Sequence, residues 1–229
     1  MIKLILFDVD GTLLDAGDLS RRCFLRVVAQ FRALAPGVDR SSFSGKTDPQ
    51  IMRELLVRSG LSAEETERAL GPALGSYQSC FLSGLGESDV RPLEGVQELI
   101  ERLAAVPPER LLLGILSGNL EGLVAPKLQA AGIRASSFVV GAFGSDDADR
   151  DNLPAIAVER AERSFGRRIL PHEVAIVGDT PLDVRCARGF GAVSVAVATG
   201  DYTREQLEAT GPAYLLDNLL EWTKLDREV

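Results

Sequence analysis

The stretch that decides the fold is residues 4–15, LILFDVDGTLLD, where an apolar run ends on acidic side chains. The apolar run has the length and the β-branched content of a strand buried on both faces. Residues i and i+2 of a strand project to the same face, so the carboxylates of Asp8 and Asp10 are expected to reach one small site. Gly11 then lets the chain turn away sharply. In open α/β sheets, ligands bind beyond the carboxyl ends of the strands, which is where this pair would lie.

A second stretch, VAIVGDTPLD at residues 174–183, again reads as a strand that ends on an acid. Asp179 follows the apolar run, Thr180 is a suitable helix cap, and Asp183 falls in the first turn of that helix. A turn or a helix-dipole contact explains each acid singly, and D-x-D-G by itself is also typical of a turn. Two strands that both end on carboxylates instead predict one acidic site at one edge of a sheet. A hard divalent cation such as Mg²⁺ prefers oxygen ligands and would offset their repulsion.

The rest of the chain alternates short apolar runs with helical patterns. The predicted strands are Ile2 to Phe7, Leu111 to Leu116, Phe138 to Val140, Val174 to Val177 and Val193 to Ala198. The predicted helices are Val96 to Leu103, Leu120 to Ala131, Pro154 to Phe165 and Leu182 to Arg188, with Gly132, Gly166 and Gly189 as stops. This alternation predicts an α/β fold with a Rossmann-like parallel sheet core, covered by helices on both sides.

Only helical periodicity is found between about Asp18 and Asp89. Apolar residues recur there at helical spacing in three groups, around Phe24, Met52 and Tyr77. The flanking stretches DAGDLS and SGLGESD are rich in small and acidic residues, as expected of a pair of hinges. The interval is therefore predicted to be an inserted α-helical domain.

Composition excludes several classes of protein. The chain has 229 residues, and its net charge of 25 − 33 = −8, with scattered basic residues, argues against a nucleic-acid partner. No apolar run of about 18 residues is present, so no membrane span is predicted, and the first apolar run is too short for a signal peptide. Cys23, Cys80 and Cys186 are odd in number and widely spaced, which predicts free thiols rather than a disulfide or a zinc site. These features predict a cytoplasmic protein, with a monomer as the default.

The sequences DVDGTLLD, LSGN and GDTPLD, in this order and with a helical insert after the first strand, resemble the haloacid dehalogenase-like superfamily. The resemblance is strongest to its phosphoglycolate phosphatase-like members with a helical cap, and it covers nearly the whole chain. It implies a catalytic core of residues 1–16 and 91–229, with a helical cap domain of residues 17–90.

The same resemblance implies roles for the acidic residues. Asp8 would be the nucleophile and Asp10 the general acid/base. Mg²⁺ would be held by Asp8, the backbone carbonyl of Asp10 and Asp179, with Asp183 in support. The roles are chemically consistent, since a carboxylate that attacks phosphorus divides the reaction into two easier steps. A second carboxyl must then protonate the leaving alkoxide and later deprotonate water.

Phosphoryl transfer also needs hydrogen-bond donors on the phosphoryl oxygens. The stretch LLLGILSGN, residues 111–119, places Ser117, Gly118 and Asn119 at the end of another predicted strand. The resemblance assigns Ser117 to a phosphate oxygen and implies substrate contacts for Gly118, Asn119 and Thr12. The less favoured alternative is a strand-ending turn, in which serine, glycine and asparagine are common.

Two basic residues complete the predicted site. The family usually has a lysine after the third strand, where this chain has SDDADRDNLPAIAVER, residues 145–160, with no lysine. Arg150 is predicted to replace it, since arginine makes bidentate phosphate contacts; the alternative is a solvated residue among aspartates. The stretch FSGKTDPQIM resembles the cap loop of these phosphatases, where Lys46 would meet an anionic substrate tail or be simply solvated. Asp48 is predicted to cap the following helix.

The predicted function is that of a Mg²⁺-dependent phosphomonoester hydrolase acting through an aspartyl phosphate on a small phosphorylated metabolite. The resemblance favours 2-phosphoglycolate as the substrate. One alternative is a phosphomutase of the β-phosphoglucomutase type, which needs the same Asp8 and Asp10. The other is a noncatalytic phospho-aspartate signalling or binding protein.

Overall fold

The computed structural model describes residues 1–31, 43–86 and 90–225. Its strands are β1 (Leu4–Phe7), β2 (Leu14–Asp15), β3 (Arg91–Pro92), β4 (Leu112–Ser117), β5 (Val140–Phe143), β6 (Val174–Gly178), β7 (Val193–Val197) and β8 (Tyr214–Leu216). Its α-helices are α1 (Leu19–Val28), α2 (Asp48–Arg58), α3 (Ala63–Gly84), α4 (Val96–Ala104), α5 (Glu121–Ala130), α6 (Leu153–Phe165), α7 (Pro181–Phe190) and α8 (Arg204–Glu208). Among these described helices, none combines the length and the apolar character that a membrane span requires.

A six-stranded sheet in the order β5-β4-β1-β6-β7-β8 forms the centre of the protein. All its neighbouring strands are parallel, and Leu4 of β1 lies between Leu112 of β4 and Val174 of β6. Successive side chains of β1 enter two different apolar clusters, Ile5 on one face and Leu6 on the other. The predicted α/β fold with a parallel sheet is confirmed, and the carboxyl ends of all six strands lie along one edge.

Three local predictions about the core differ from the structure. The third predicted strand is shifted, because Phe138 ends the 3₁₀ turn Ala135–Ser137 and pairing with β4 starts at Val140. Strand β8 was not predicted, since three residues carry too little periodicity. Helix α7 runs through Gly189, the predicted stop, and ends at Phe190, where Gly191 with a φ of +86° supplies the left-handed cap.

Helices α1, α2 and α3, here called the helical insert, lie between β2 and β3. These two short strands pair antiparallel, so the chain leaves the core and returns to it side by side. The insert has an apolar cluster of its own, in which the rings of Phe24 and Tyr77 stack with centroids 3.9 Å apart. The helical character predicted for this interval is observed in its described residues. The domain boundaries at residues 16/17 and 90/91 stay a prediction.

The cysteines of the insert depart from the prediction. Cys23 of α1 and Cys80 of α3 form a disulfide with their Cα atoms 5.7 Å apart, so the prediction of free thiols is wrong for this pair. Cys186 is a buried free thiol, as predicted. The bridge forms because α1 and α3 pack side by side, and the spacing of 57 residues between the two cysteines gave no sign of this packing.

Candidate active site

The loop that follows β1 presents two aspartates in different surroundings. The Asp8 amide donates to the Val177 carbonyl at 2.9 Å, which continues the pairing with β6, and the Asp8 side chain is buried. The Asp10 side chain is 37% exposed and faces a cavity. Between Asp10 and the next turn, Gly11 adopts a φ of +83°, which favours glycine.

Three buried carboxylates meet at this edge of the sheet. Carboxylate oxygens of Asp8, Asp179 and Asp183 all lie within 4.8 Å of one another. The hydroxyl of Thr12 donates to Asp179 at 3.1 Å. Asp183 accepts from the amide of Thr180 at 3.0 Å and from its hydroxyl at 2.6 Å, which fixes it in the first turn of α7. Asp8, Asp179 and Asp183, predicted from separate stretches, are thus together in space.

The electrostatics of this cluster favour a bound cation. Burial raises the pKa of Asp8 to about 6, and the carboxylates of Asp183 and Asp10 add to the rise while Arg150 opposes it. Burial, followed by the charges of Asp8 and Asp183, also holds the pKa of Asp179 well above its usual range. Ionising all three acids in so small a volume is therefore unfavourable unless a positive charge joins them. Converging carboxylate oxygens fit a hard divalent metal ion, so these residues could hold one.

Two glycines make room for Asp179. A Cβ atom on Gly200 would lie 1.7 Å from Asp179 Oδ2, and one on Gly11 would lie 2.4 Å from the same oxygen. Only glycine at both positions lets the carboxylate occupy this place. Gly11 stands in the acidic stretch near the amino terminus, whereas Gly200 lies in the loop after β7 and no sequence signal pointed to it.

Arg150 lies beside the carboxylates, in the 3₁₀ turn Arg150–Asn152 before α6. Its Nη2 is 3.1 Å from Asp8 Oδ1, it pairs with Asp183, and its side chain is only 3% exposed. Burial alone would lower the pKa of Arg150, but the carboxylates of Asp183 and Asp8 outweigh burial and raise it. The alternative of a solvated surface residue therefore does not hold, and a fixed positive charge faces Asp8.

A cavity of 390 Å³ lies between this edge of the sheet and the helical insert. The residues of the predicted site that line it are Asp8, Asp10, Lys46, Ser117, Gly118, Asn119, Arg150 and Asp179. Thr12 and Asp183 lie behind the cavity wall, so the position of Thr12 supports Asp179 and does not favour a substrate contact. Ser117 ends β4, and its hydroxyl oxygen accepts from the Asn119 amide at 3.3 Å.

The loop before α2 lines part of the cavity and rests on the core. Lys46 Nζ pairs with Glu54 Oε2 at 2.6 Å, so the predicted substrate cation is already neutralised within the insert. A Cβ on Gly118 would lie 2.2 Å from the Lys46 carbonyl oxygen, which shows how closely this loop rests on the core. Hydrogen bonds add to the contact: the Asp48 amide donates to Gly118 at 2.7 Å, and Thr47 Oγ1 donates to the Ala148 carbonyl at 2.7 Å.

The side chain of Asp48 has a different role from the predicted one. Thr47, whose hydroxyl oxygen accepts from the Gln50 amide at 3.2 Å, caps α2 instead. Asp48 Oδ2 accepts from the Leu120 amide of the core at 2.7 Å, and Tyr77 donates to Oδ1 at 3.4 Å. Asp48 therefore ties the insert to the start of α5.

Lys127 is a residue of this region that sequence reasoning missed. It lies on α5 with no exposed side-chain surface, 2.7 Å from Asp10 Oδ2. The signal in the sequence was its position one helical turn after Leu123 and Val124, inside the apolar stripe of a predicted helix. Such a lysine has to be paired when the helix is buried, but the helix alone does not show with what.

The sequence profile of the haloacid dehalogenase-like hydrolase family matches residues 5–197. The chain belongs to this family. It is 29% identical to a phosphoglycolate phosphatase of Synechococcus elongatus over 222 residues, which cover 94% of this chain and 93% of the relative.

Two solved structures share the fold. A predicted phosphoglycolate phosphatase from Haemophilus somnus superimposes with a TM-score of 0.74 at 20% identity, covering 98% of this chain and 97% of that one. A β-phosphoglucomutase from Clostridium difficile superimposes with a TM-score of 0.73 at 17% identity, covering 100% of this chain and 97% of that one. The predicted family and the prediction of an enzyme of the hydrolase class are confirmed, and the activity of the relatives supports a phosphatase. The cytoplasmic location and the monomeric state stay predictions.

Proposed function

We propose that this family member is a Mg²⁺-dependent phosphomonoester hydrolase that acts on a small phosphorylated metabolite through an aspartyl phosphate on Asp8. The observation that carries the proposal is the convergence of Asp8, Asp179 and Asp183 beside Arg150, next to a cavity at the carboxyl edge of the sheet. The metal would be held by Asp8, Asp179 and the Asp10 backbone carbonyl, with Asp183 in support. When bound, it would offset the charge of the phosphoryl group and of these carboxylates.

In the first step, a carboxylate oxygen of Asp8 attacks phosphorus and the ester P–O bond breaks. The leaving alkoxide needs a proton, which Asp10 supplies as general acid. Asp10 suits this task because its carboxyl is the more exposed of the two and faces the cavity. The products of the step are the free alcohol and the phosphorylated Asp8.

In the second step, water attacks the phosphorus of the aspartyl phosphate while Asp10 accepts a proton from it. The bond between phosphorus and Asp8 breaks, which releases inorganic phosphate and restores the Asp8 carboxylate. Arg150, held 3.1 Å from Asp8, is placed to bind the phosphoryl oxygens in both steps. Ser117 at the end of β4 lines the same cavity and can donate to a further phosphoryl oxygen.

The cavity favours a small substrate. Its 390 Å³ lies at the lower end of the range of about 300 to 1,000 Å³ that is usual for ligand sites. The Synechococcus relative is a phosphoglycolate phosphatase, and we take 2-phosphoglycolate as the first substrate to test. Lys46 lines the cavity and would contact the substrate carboxylate only by sharing its ammonium group with Glu54.

The test is phosphate release from a panel of small phosphomonoesters that includes 2-phosphoglycolate, with Mg²⁺ and with a chelator. We expect turnover only with the metal, and we expect Asp8→Asn to lower it by roughly 10⁴-fold or more because the nucleophile is lost. Gly189→Ala, in α7 with open space around the new methyl group, is the matched control for expression and folding.

Three other outcomes would contradict the activity or the mechanism proposed here. Transfer of phosphate between two hydroxyls of one sugar, without release, would indicate a phosphomutase. A stable phosphorylated protein without turnover would indicate a signalling or binding role. Turnover that survives in Asp8→Asn would contradict the proposed nucleophile.

A further inference from the structure

Lys127 is buried where an unpaired ammonium group would be very unfavourable. It lies on α5, and its side chain has no exposed surface. A lysine is retained at such a place only when acceptors surround its charge. The partners of Lys127 therefore indicate why the chain has a lysine there.

The ammonium group of Lys127 makes its hydrogen bonds to two residues of the cavity wall. Nζ lies 2.7 Å from Asp10 Oδ2 and 2.9 Å from Asp10 Oδ1, so it bridges both carboxylate oxygens. It also lies 2.8 Å from Asn119 Oδ1. Three acceptor oxygens match the three N–H bonds of an ammonium group. The Asp10 carboxylate is thereby fixed in orientation relative to the end of β4.

The helical insert contributes to the same contact. Lys127 Nζ lies 4.9 Å from the ring centroid of Phe81 on α3, a distance suited to a cation–π contact. The insert also brings the Asp48 carboxyl near Lys127, and their charges interact. Lys127 therefore lies at the junction of the core and the insert.

We propose that Lys127 is the positioning residue of Asp10. Its ammonium group, held between Asn119 and Phe81, keeps the Asp10 carboxyl within hydrogen-bond reach of the leaving oxygen in the first step and of the water in the second. The inference rests on the proposed function, in which Asp10 is the general acid/base. Lys127 does not line the cavity, so it acts through Asp10 and takes no direct part in proton transfer. No bond is formed or broken at Lys127.

The inference has a signature that a purely structural role lacks. An alkyl ester depends on Asp10 to protonate a strongly basic leaving oxygen, whereas p-nitrophenolate leaves without help. A displaced Asp10 should therefore slow phosphoryl transfer from alkyl esters far more than from p-nitrophenyl phosphate. A loosened insert or a distorted core would slow both esters to a similar extent.

The experiment compares kcat/KM for p-nitrophenyl phosphate and for the best alkyl phosphate of the panel in Lys127→Met and in wild type. We expect a loss of about 100-fold or more for the alkyl ester and less than about tenfold for the aryl ester, with KM for the alkyl ester nearly unchanged. Lys127→Arg keeps the charge and should recover part of the loss. Gln129→Met, an exposed position on the same helix, is the matched control and should behave as wild type.

A double-mutant cycle with Asp10→Asn decides between positioning and general damage. If Lys127 acts only through Asp10, adding Lys127→Met to Asp10→Asn should cost little further activity. An equal loss on both esters, or a loss that multiplies in the double variant, would overturn the inference. If Lys127→Met fails to fold, Lys127→Gln, which keeps a polar group, replaces it in the same cycle.

Failure of this inference is distinguishable from failure of the proposed function. The proposed function fails if wild type does not hydrolyse any ester with Mg²⁺, or if Asp8→Asn retains turnover. The role of Lys127 fails if wild type and Asp8→Asn behave as expected but Lys127→Met treats both esters alike.

Discussion

Asp8 and Asp10 are two residues apart, yet each faces its own buried cation. Arg150 approaches Asp8 from the turn before α6 and shares its charge with Asp183. Lys127 approaches Asp10 from α5, also donates to the neutral side chain of Asn119, and interacts more weakly with the charge of Asp48. Each cation is almost or wholly inaccessible to solvent, but the Arg150–Asp8 pair is buried on both sides whereas Asp10 is 37% exposed, so solvent screens the Lys127–Asp10 pair more.

The surroundings of Asp8 and Arg150, here called the Asp8 side, differ in their balance of charge from those of Asp10 and Lys127, the Asp10 side. Around Arg150, the carboxyls of Asp8 and Asp183 share a single guanidinium, Asp179 adds a third carboxyl to the cluster, and burial raises the pKa of Asp8 to about 6. Around Lys127, one ammonium bridges one carboxylate. A further cation would offset the excess of carboxyl groups on the Asp8 side, which fits the proposed metal, whereas the Asp10 carboxylate already has a counter-charge in Lys127.

The largest effect is expected from removing the cation on the Asp8 side. Arg150→Met would leave the carboxylates without a counter-charge and remove the proposed donor to the phosphoryl oxygens, which typically costs about 10²- to 10³-fold in rate. Because the phosphoryl oxygens are common to all esters, kcat/KM should fall to a similar extent for alkyl and aryl phosphates. This pattern differs from the one expected of Lys127→Met, and steady-state kinetics on both esters measures it.

Arg150→Lys is the companion variant. It keeps a positive charge but loses the planar donor pair, so it should recover only part of the activity. A strong preference of Arg150→Met for aryl esters would contradict the division of roles between the two cations.

A smaller effect is expected from crowding the proposed metal ligand. In Gly200→Ala, the new methyl group would lie only 1.7 Å from Asp179 Oδ2, so this carboxylate must move. We expect the Mg²⁺ concentration for half-maximal activity to rise by about 10- to 100-fold, the usual cost of disturbing groups that orient metal ligands. A titration of activity with Mg²⁺ measures it.

Two controls test the specificity of that effect. Gly189→Ala, with nothing within 4 Å of the added Cβ, should leave the Mg²⁺ requirement unchanged. Lys127→Met should also leave the Mg²⁺ requirement unchanged. Lys127 contacts the carboxylate of Asp10, whereas the proposed metal ligands are the backbone carbonyl of Asp10 and the buried acids. A shifted Mg²⁺ requirement in Lys127→Met would show that the two sides are not independent.

The smallest expected effect is on the stability of the fold, and it comes from Asp48, a second carboxyl near Lys127. Burial raises the pKa of Asp48 from 3.8 to about 7, although Lys127 and the Leu120 amide act to lower it. Between these two pH values the folded protein keeps a proton that the unfolded chain has lost, so the free energy of unfolding decreases as pH rises through this window. Asparagine at this position has no charge to bury, and its side-chain oxygen can still accept the hydrogen bond from the Leu120 amide.

We therefore expect Asp48→Asn to gain stability relative to wild type as pH rises. The difference in free energy of unfolding between the variant and wild type should increase by about 1 to 2 kcal/mol from pH 4 to pH 8, a fraction of the full linkage value. Urea unfolding in the presence of chelator at several pH values measures it. A difference that does not change with pH would show that Asp48 is ionised in the folded protein throughout.

The parts of the site that depend on neighbouring residues and on the order of strands and helices could be predicted from the sequence. Asp8 and Asp179 each end an apolar strand, and the rule that parallel strands share a carboxyl edge was enough to bring them together. The position of Arg150 between a strand and a helix predicted its approach to the same edge. These inferences need only neighbouring residues and the topology of the sheet.

The contacts that were missed join distant parts of the chain. Lys127 and Asp10 are 117 residues apart, and only the packing of α5 against the loop after β1 brings them into contact. Cys23 and Cys80 are 57 residues apart and meet because α1 and α3 pack side by side. Gly200 was missed for a related reason, since a glycine shows its purpose only when the atom that would clash with a side chain is known.

The measurement that tests the central claim most directly is the location of the phosphoryl group during turnover. Wild type and Asp10→Asn would be mixed with p-nitrophenyl phosphate and Mg²⁺, quenched rapidly in acid, and digested for mass spectrometry. The account predicts a phosphorylated peptide that carries the group on Asp8, with more of it in Asp10→Asn because the second step has lost its base. Turnover with no phosphorylated Asp8, or with the group on another residue such as Ser117, would contradict it.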